Sequence, residues 1–235
     1  MASSHSSLIP QIRNQLNNTK SLNPSSAWLT TFLTTQKPTT PLPALTSTAL
    51  FRLLSSDITQ SLDCTPNACF PADVGNVNIK ERRLPGPIVV QVLAIDDMSK
   101  SRWEQIEAIE ALERGEGTKG REIIRVVPTE DEDNANTSVQ KGGGPHKLLL
   151  QDAHGSRVYG IELKQIESVG LGMNIGSKLV LKDVLVARGV LLLEPKTTSM
   201  LGGKIENLHK AWKTNRKADL KAAIEANERS ASTNS

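Results

Sequence analysis

The sequence predicts an α+β fold with an N-terminal three-helix bundle, a five-stranded β-barrel and a C-terminal helix. Three observations predict it. Short apolar helical runs, separated by proline-rich turns, fill the first 63 residues. Beyond Pro87 come short runs rich in Val, Leu and Ile that end at glycine or proline, which is typical of small barrels. One amphipathic helical run, which passes through Trp212, then closes the series.

The helices of the first domain, residues 1–63, are predicted from apolar spacing and capping. Residues 8–16 form an amphipathic run, and a second helix has Ser25 or Ser26 as its N-cap. Residues 34–43 are predicted as a loop, because proline removes a backbone donor and disfavours helix before it. A third helix is expected over residues 45–62.

A linker, residues 64–84, and a barrel domain, residues 85–212, are expected next. The strands are assigned to β-branched apolar runs bounded by turns. They are residues 88–95, 147–152, 157–163, a run from 178 toward 187, and 190–193. Leu149, Val180 and Leu192 are predicted to lie in the barrel core. Five strands with a helical closure are typical of a Greek-key OB barrel.

The connection between the first two strands, residues 97–146, is much longer than a barrel hairpin needs. Loops of this length are commonly functional or disordered. Ser101 and Glu104 predict a capping box that starts a helix. Its apolar residues, at near-helical spacing, are Trp103, Ile106, Ile109 and Leu112. Residues 122–127 predict a short strand, and the polar stretch 129–144 predicts a mobile segment.

Composition and motifs give no positive sign of catalysis. The 28 Lys and Arg residues against 25 Asp and Glu leave a charge of only +3, too small for a global nucleic-acid footprint. No carboxylate pair is placed beside a His or Lys so as to name an acid and a base, and GLGMNIG (170–176) lacks nucleotide-binding spacing. Cys64 and Cys69 are expected to be reduced thiols, and neither a cofactor nor a metal is expected.

Targeting signals are weak. No apolar run approaches the ~20 residues that cross a bilayer, and no secretory segment is predicted. The Ser- and Thr-rich start, with no acidic residue before Asp57, has the bias of a mitochondrial transit peptide. Its helical signals favour a folded helical domain instead. The basic cluster at residues 80–83 is either a weak nuclear signal or linker charge.

Single-stranded DNA binding is the alternative function that an OB barrel suggests. Such barrels stack bases on aromatic side chains in a basic groove, at about 1–3 kcal/mol per base. The predicted strands offer only Tyr159. The C-terminal helix and the tail, residues 213–235, are locally basic, which predicts at most weak phosphate contact or a solvated face. The candidate DNA contacts are Lys210, Lys213, Arg216 and Lys217.

Three segments resemble the family of RecQ-mediated genome instability protein 1. They are LLLQDAHGSRVYGIEL, GSKLVLKDVLVARGVLLLEP and LGGKIENLHKAW, within a match over residues 84–212. The helices of residues 25–62 are similar in kind to the family's N-terminal three-helix domain. The resemblance implies a non-catalytic nuclear scaffold whose partners are topoisomerase III and a RecQ-family helicase.

The resemblance also implies a role for the insertion. In the family the corresponding segment reaches toward the DNA gate of the topoisomerase and tunes its opening, so that DNA is decatenated and double Holliday junctions are dissolved. In this chain the implied partner or gating residues are Trp103, Ile106, Ile109 and Leu112. DNA would then be contacted weakly or indirectly. The length and the single barrel are similar to the compact fungal form.

Overall fold

The computed structural model describes residues 2–37, 39–65, 68–119, 122–125 and 144–233. The helices in these ranges are α1 (Ala2–Lys20), α2 (Ser26–Thr34), α3 (Leu42–Leu54), α4 (Ile58–Ser61), α5 (Arg102–Glu113) and α6 (Glu206–Thr233). The strands are β1 (Glu81–Leu84), β2 (Ile88–Asp97), β3 (Glu116–Lys119), β4 (Glu122–Arg125), β5 (His146–Asp152), β6 (Arg157–Glu162), β7 (Lys178–Leu181), β8 (Val184–Ala187), β9 (Val190–Leu193) and β10 (Thr198–Gly202). The predicted α+β class is confirmed.

The N-terminal helices follow their local capping chemistry. The side chain of Ser25 accepts a hydrogen bond from the N–H of Trp28, which makes Ser25 the N-cap of α2. Helix α1 extends well beyond the predicted run at residues 8–16. The prediction of one helix over residues 45–62 is wrong at its C-terminal end. Helix α3 ends at Leu54, and Asp57 caps the separate α4 by accepting from the N–H of Thr59.

The barrel is an eight-stranded sheet in the order β1-β8-β9-β6-β5-β2-β7-β10. Its neighbouring strands are antiparallel except for β6 and β9, which are parallel. Strand β2 pairs with both β5 and β7, and its register shifts between Val92 and Ala94, so it bends from one partner to the other. The predicted fourth strand divides into β7 and β8 next to Asp183, whose φ is +54°. Strands β1 and β10 extend the sheet beyond the five strands predicted.

The barrel interior is filled by alternate apolar side chains of these strands. Fully buried examples are Val90, Val92, Leu148, Leu150, Leu179, Leu181, Leu191 and Leu193. The segment at residues 64–84, expected as a linker, contributes Phe70 and Val74 to this core. Strand β1 lies in the same segment and pairs with β8. The barrel therefore recruits much of that segment.

Cys64 and Cys69 form a disulfide, with Cα atoms 5.9 Å apart, so the expectation of two reduced thiols is wrong. The next residue, Phe70, is buried, and its N–H donates to the carboxylate of Asp152 at 2.8 Å. The bridge thus closes a short loop directly before the chain enters the barrel core. No helix in the described part of the chain is both long enough and apolar enough to span a bilayer.

The helical bundle packs on the outer side of β2 and β7. Val89 and Val180 lie in the bundle's apolar cluster with Leu29 and Leu53. Val180 was expected in the barrel core, and it is buried, but in the interface between the two units. The side chain of Gln91 also accepts a hydrogen bond from the N–H of Ile58 at 3.1 Å. Bundle and barrel therefore share a continuous buried interface.

Lys178 is a buried cation in this interface. Its side chain is among the largest that are fully buried, and its Nζ donates to three backbone carbonyls. These are the carbonyls of Leu54 at 3.1 Å, Ser56 at 2.6 Å and Gly176 at 2.9 Å. The first two belong to the end of α3 and the turn after it, and the third precedes β7. One ammonium group therefore joins the two units.

Replacing Lys178 with Met should destabilise the fold by about 2–4 kcal/mol, because buried carbonyl groups lose their donor. Chemical denaturation followed by circular dichroism would measure the change. Lys182→Met is the matched control, since Lys182 is exposed one residue beyond the same strand. Equal stabilities of the two variants would contradict the bridging role of Lys178.

Stability should also depend on pH through this group. Burial lowers the pKa of Lys178 to about 8, while the charge of Asp57 acts in the opposite direction. The unfolded lysine titrates near 10.4, so between the two pKa values the unfolded state binds more protons and the free energy of unfolding rises with pH. The wild type should gain up to roughly 3 kcal/mol relative to Lys178→Met across this window. Denaturation curves of both proteins near pH 8 and near pH 10.4 would test this prediction. A difference in unfolding free energy that does not change with pH would show that the three carbonyls keep Lys178 protonated.

Candidate partner-binding surface

The outer face of the barrel along β5, β6, β8 and β9 is unusually apolar. Along β5, β6, β8 and β9, buried side chains alternate with partly or fully exposed ones. The outward positions of such a sheet are normally polar. Here most of them are apolar: Leu149, Tyr159, Ile161, Leu185, Val190 and Leu192. We call these six residues the apolar sheet face.

Strand register makes these six side chains neighbours. Tyr159 lies opposite Leu149 on one side and Val190 on the other. Leu192 likewise lies between Ile161 and Leu185. Because cross-strand neighbours on one face of a sheet are in contact range, the six form one continuous patch. Tyr159, at the centre of its row, is 50% exposed.

Charged residues surround the apolar sheet face. Lys147 lies 5.2 Å from the centroid of the Tyr159 ring and 3.1 Å from the carboxylate of Asp96. On the opposite side Arg83 pairs with Asp183 at 2.9 Å. An apolar centre with a polar rim is the usual organisation of a protein-binding surface.

A shallow hollow of about 80 Å³ lies at the rim, lined in part by Leu163, Leu185 and Leu192. Leu163 is 55% exposed. Glu194 also lines the hollow, and a hydrogen bond from Lys196 holds the pKa of this carboxyl below its ordinary value. The hollow therefore combines an apolar wall with a carboxylate that stays ionised.

The predicted core positions show how sequence reasoning missed this face. Leu149 and Leu192 were expected inside the barrel, but both lie on the outward side, with Leu148, Leu150, Leu191 and Leu193 inside. Since side chains alternate along a strand, a shift of one residue exchanges the two faces. The detectable signal was the uninterrupted Leu run, because a strand solvated on one side would alternate with polar residues.

The insertion begins with α5, and the structure confirms its capping box. Ser101 accepts from the N–H of Glu104, and the carboxylate of Glu104 accepts from the N–H of Ser101. Trp103 and Leu112 are 64% and 69% exposed, so both are available to a partner. Ile109 is partly buried. Ile106 is 3% exposed, so its predicted partner contact does not fit its burial.

Carboxylates on α5 hold the helix against α6. Glu110 lies 3.1 Å from Lys217 and 3.2 Å from Lys221, and Glu113 lies 2.7 Å from Lys217. Hydrogen bonds from Lys217 and Lys221 hold the pKa of Glu110 below its ordinary value, and hydrogen bonds to Glu113 and Glu110 raise the pKa of Lys217. The insertion helix thus has a defined position on the barrel's C-terminal helix.

A buried polar network fixes both ends of the insertion. At the entry, the side chain of Gln105 donates to the backbone carbonyl of Asp97 at 2.9 Å. Burial opposes ionisation of Asp97, but hydrogen bonds from Ser99, together with the nearby charges of His146 and Lys100, lower the pKa of the carboxyl. At the exit, the buried Glu162 accepts from the backbone N–H of His146 and lies 2.5 Å from its Nδ1. The two ends of the insertion are therefore held in place.

Further along the insertion, β3 and β4 pair as a hairpin. The predicted strand at residues 122–127 is thus present as β4 over Glu122–Arg125. Residues 126–143 lie outside the described ranges, and with them most of the segment predicted to be mobile, 129–144.

The four candidate DNA contacts divide into two groups. Lys210 and Lys213 are exposed on α6. Arg216 instead lies 4.9 Å from the ring of Trp212, and Lys217 makes the ion pairs with α5 described above. Arg216 also donates to the side chain of Gln105 at 3.2 Å. Two of the four therefore hold the insertion helix, which reduces the charge that α6 offers to phosphate.

Comparisons with known proteins agree with this architecture. The family model described as "RMI1, N-terminal OB-fold domain" matches residues 70–216, and "RMI1, N-terminal helical domain" matches residues 16–61. RecQ-mediated genome instability protein 1 of Schizosaccharomyces pombe is 34% identical over 173 residues, which are 68% of this chain and 72% of that protein. The matches cover both structural units and confirm the resemblance seen in the sequence. The chain belongs to the RMI1 family.

Proposed function

We propose that this protein is a non-catalytic scaffold that binds topoisomerase III and works with a RecQ-family helicase in the nucleus. In this proposal it promotes DNA decatenation and the dissolution of double Holliday junctions, and so maintains genome stability. The observation that carries the proposal is the apolar sheet face. Family membership supports the assignment, since the similar fission yeast protein is named for RecQ-mediated genome instability.

The apolar sheet face is free for a protein partner, whereas the outer surface of β2 and β7 is already covered by the bundle. The bundle covers β2 and β7 through Val89 and Val180. The apolar side chains on β5, β6, β8 and β9 remain exposed to solvent in part. Exposed patches of this kind mark interaction sites, and a central aromatic residue such as Tyr159 commonly contributes much of the binding energy.

The insertion helix supports a second, regulatory role for the scaffold. Helix α5 is fixed by ion pairs with α6 and by the buried hydrogen bond from Gln105 to the carbonyl of Asp97. It nevertheless presents Trp103 and Leu112 to solvent. A large exposed aromatic residue on a fixed helix has little entropy to lose when a partner binds it. In our proposal this helix directs the rest of the insertion toward the topoisomerase and modulates its gate.

The alternative, a single-stranded-DNA-binding OB protein, has weaker support. A stacking platform needs several aromatic residues along a basic groove. On the described barrel strands Tyr159 stands alone, and Lys147 lies over its ring. Arg216 and Lys217 are engaged with α5. DNA contact through α6 would therefore be weak and strongly dependent on salt.

A charge placed on the apolar sheet face should disrupt partner binding. Ile161→Glu and Leu192→Glu should each weaken binding to purified topoisomerase III by at least about 30-fold, because a carboxylate would be buried without a partner. Isothermal titration calorimetry would measure the affinity, and thermal melting would check the fold. Phe51→Glu is the control, since Phe51 is 73% exposed on the bundle. Unchanged affinity in both sheet variants would refute this binding surface.

The insertion helix should affect activity more than affinity. The double variant Trp103→Ala, Leu112→Ala should bind topoisomerase III within about threefold of wild type, because the main contact lies on the sheet. It should nevertheless lose most of its effect on decatenation, measured with purified topoisomerase and catenated DNA circles. The control is Met98→Ala, since Met98 is 49% exposed just before the helix. Full retention of the decatenation effect in the double variant would argue against a regulatory helix.

A further inference from the structure

The N-terminal bundle carries a groove that the scaffold function above does not use. It has a volume of about 360 Å³ and lies between α2 and α3. Helix α2 and its C-cap contribute Trp28, Thr31, Phe32 and Thr35, and α3 and the residues after it contribute Phe51, Arg52, Ser55 and Ser56. The first four positions follow helical spacing, so one face of α2 forms a wall.

Aromatic rings dominate this groove. Trp28 and Phe32 are stacked with centroids 5.5 Å apart and nearly parallel planes. Across the groove Phe51 is 73% exposed, the largest exposure among the large hydrophobic residues of the described chain. Leaving so much apolar surface in water is unfavourable, and a ligand that covers the Phe51 ring would remove this cost.

A single guanidinium sits beside the rings. Arg52 donates from Nη1 to the hydroxyl of Thr35 at 2.8 Å, and its Cζ lies 5.5 Å from the Phe32 centroid. These two contacts orient the planar group at the wall of the groove. A guanidinium oriented in this way presents a fork of N–H donors that matches a carboxylate.

The bundle that forms the groove carries more positive than negative charge. The first 56 residues contain no Asp or Glu, while Arg13, Lys20, Lys37 and Arg52 supply positive charge. The first carboxylate along the chain, Asp57, accepts hydrogen bonds from the backbone and hydroxyl of Thr59 at the start of α4. Asp63 pairs with Arg13 at 3.5 Å. Arg52 is the charged residue in the lining of the apolar groove, and an acidic ligand complements it.

The size of the groove selects among acidic ligands. About 360 Å³ is at the small end of ligand pockets, enough for one or two large side chains. Single-stranded nucleic acid would need a basic groove that follows several phosphates, whereas Arg52 is the one basic residue among the described residues that line this groove. A short amphipathic segment, with apolar residues on one face and carboxylates beside them, fits both the walls and the charge.

We propose that the groove between α2 and α3 binds a short acidic amphipathic segment of a partner protein. An aromatic or large aliphatic residue of the segment packs between Trp28 and Phe51, and a neighbouring carboxylate pairs with Arg52. The groove is on the bundle and the apolar sheet face is on the barrel. The scaffold can therefore hold this segment while it binds its main partner.

The test uses the full-length protein and two synthetic peptide sets. The first set consists of twelve-residue Ala-based peptides with Trp, Phe or Leu at positions i and i+4 and three Glu residues beside them, and the second has Lys in place of Glu. Fluorescence anisotropy should show saturable binding of peptides from the acidic set and at least tenfold weaker binding of the basic set. Phe51→Ala and Arg52→Glu should each weaken the best acidic peptide by about tenfold or more.

Lys20→Glu is the matched control, because it removes the same charge from the bundle but is not part of the groove, and it should change affinity by less than about threefold. A charge exchange adds a stricter criterion: Arg52→Glu should bind the Lys peptide better than wild type does. Topoisomerase binding should be unaffected by Phe51→Ala, which separates this proposal from the scaffold function.

Three results would overturn the proposal. The first is the absence of saturable binding by any acidic peptide. The second is binding that Phe51→Ala and Arg52→Glu leave unchanged. The third is a fluorescent oligo-dT that binds the groove more tightly than the peptides and depends on the same two residues, which would assign the groove to nucleic acid.

Discussion

The contact of the Lys178 ammonium with three backbone carbonyls is the interaction on which the arrangement of the two units depends. Burying a cation is costly unless its donors are satisfied, so the carbonyls of Leu54 and Ser56 must lie within hydrogen-bonding distance of β7. Gly203 allows this approach, because a Cβ at that position would collide with the carbonyl of Leu54. The end of α3 is thereby fixed against the barrel, and the position of the bundle follows.

A fixed bundle gives the sheet two different outer sides. On β2 and β7 the outward residues Val89 and Val180 belong to the bundle's core. On β5, β6, β8 and β9 the outward residues have no covering layer within the described structure. Both sides are apolar, but only one has its apolar surface buried inside the molecule. The hydrophobic effect therefore favours a second protein on the other side.

The insertion shows a similar division between fixed and available parts. Its two ends are held by buried hydrogen bonds of Gln105 and Glu162. Helix α5 is held by its carboxylates, which pair with lysines of α6. Such pairs are individually weak when exposed, but several of them on one helix define its orientation. The exposed Trp103 and Leu112 are thus presented from a defined position, as the proposed regulatory role requires.

The sequence by itself determined the class of fold, the starts of α2 and α5 and the location of most strands. Capping by Ser25 and Ser101 and the glycine and proline boundaries of β-branched runs are local features, and local chemistry decides them. Family-specific segments likewise identified the family from the sequence. Only the tertiary structure decided which face of each strand is inside, since β5 and β9, which carry Leu149 and Leu192, are apolar on both faces. It also decided that Lys178 is buried and that Lys217 pairs with α5, because these partners lie more than a hundred residues away along the chain.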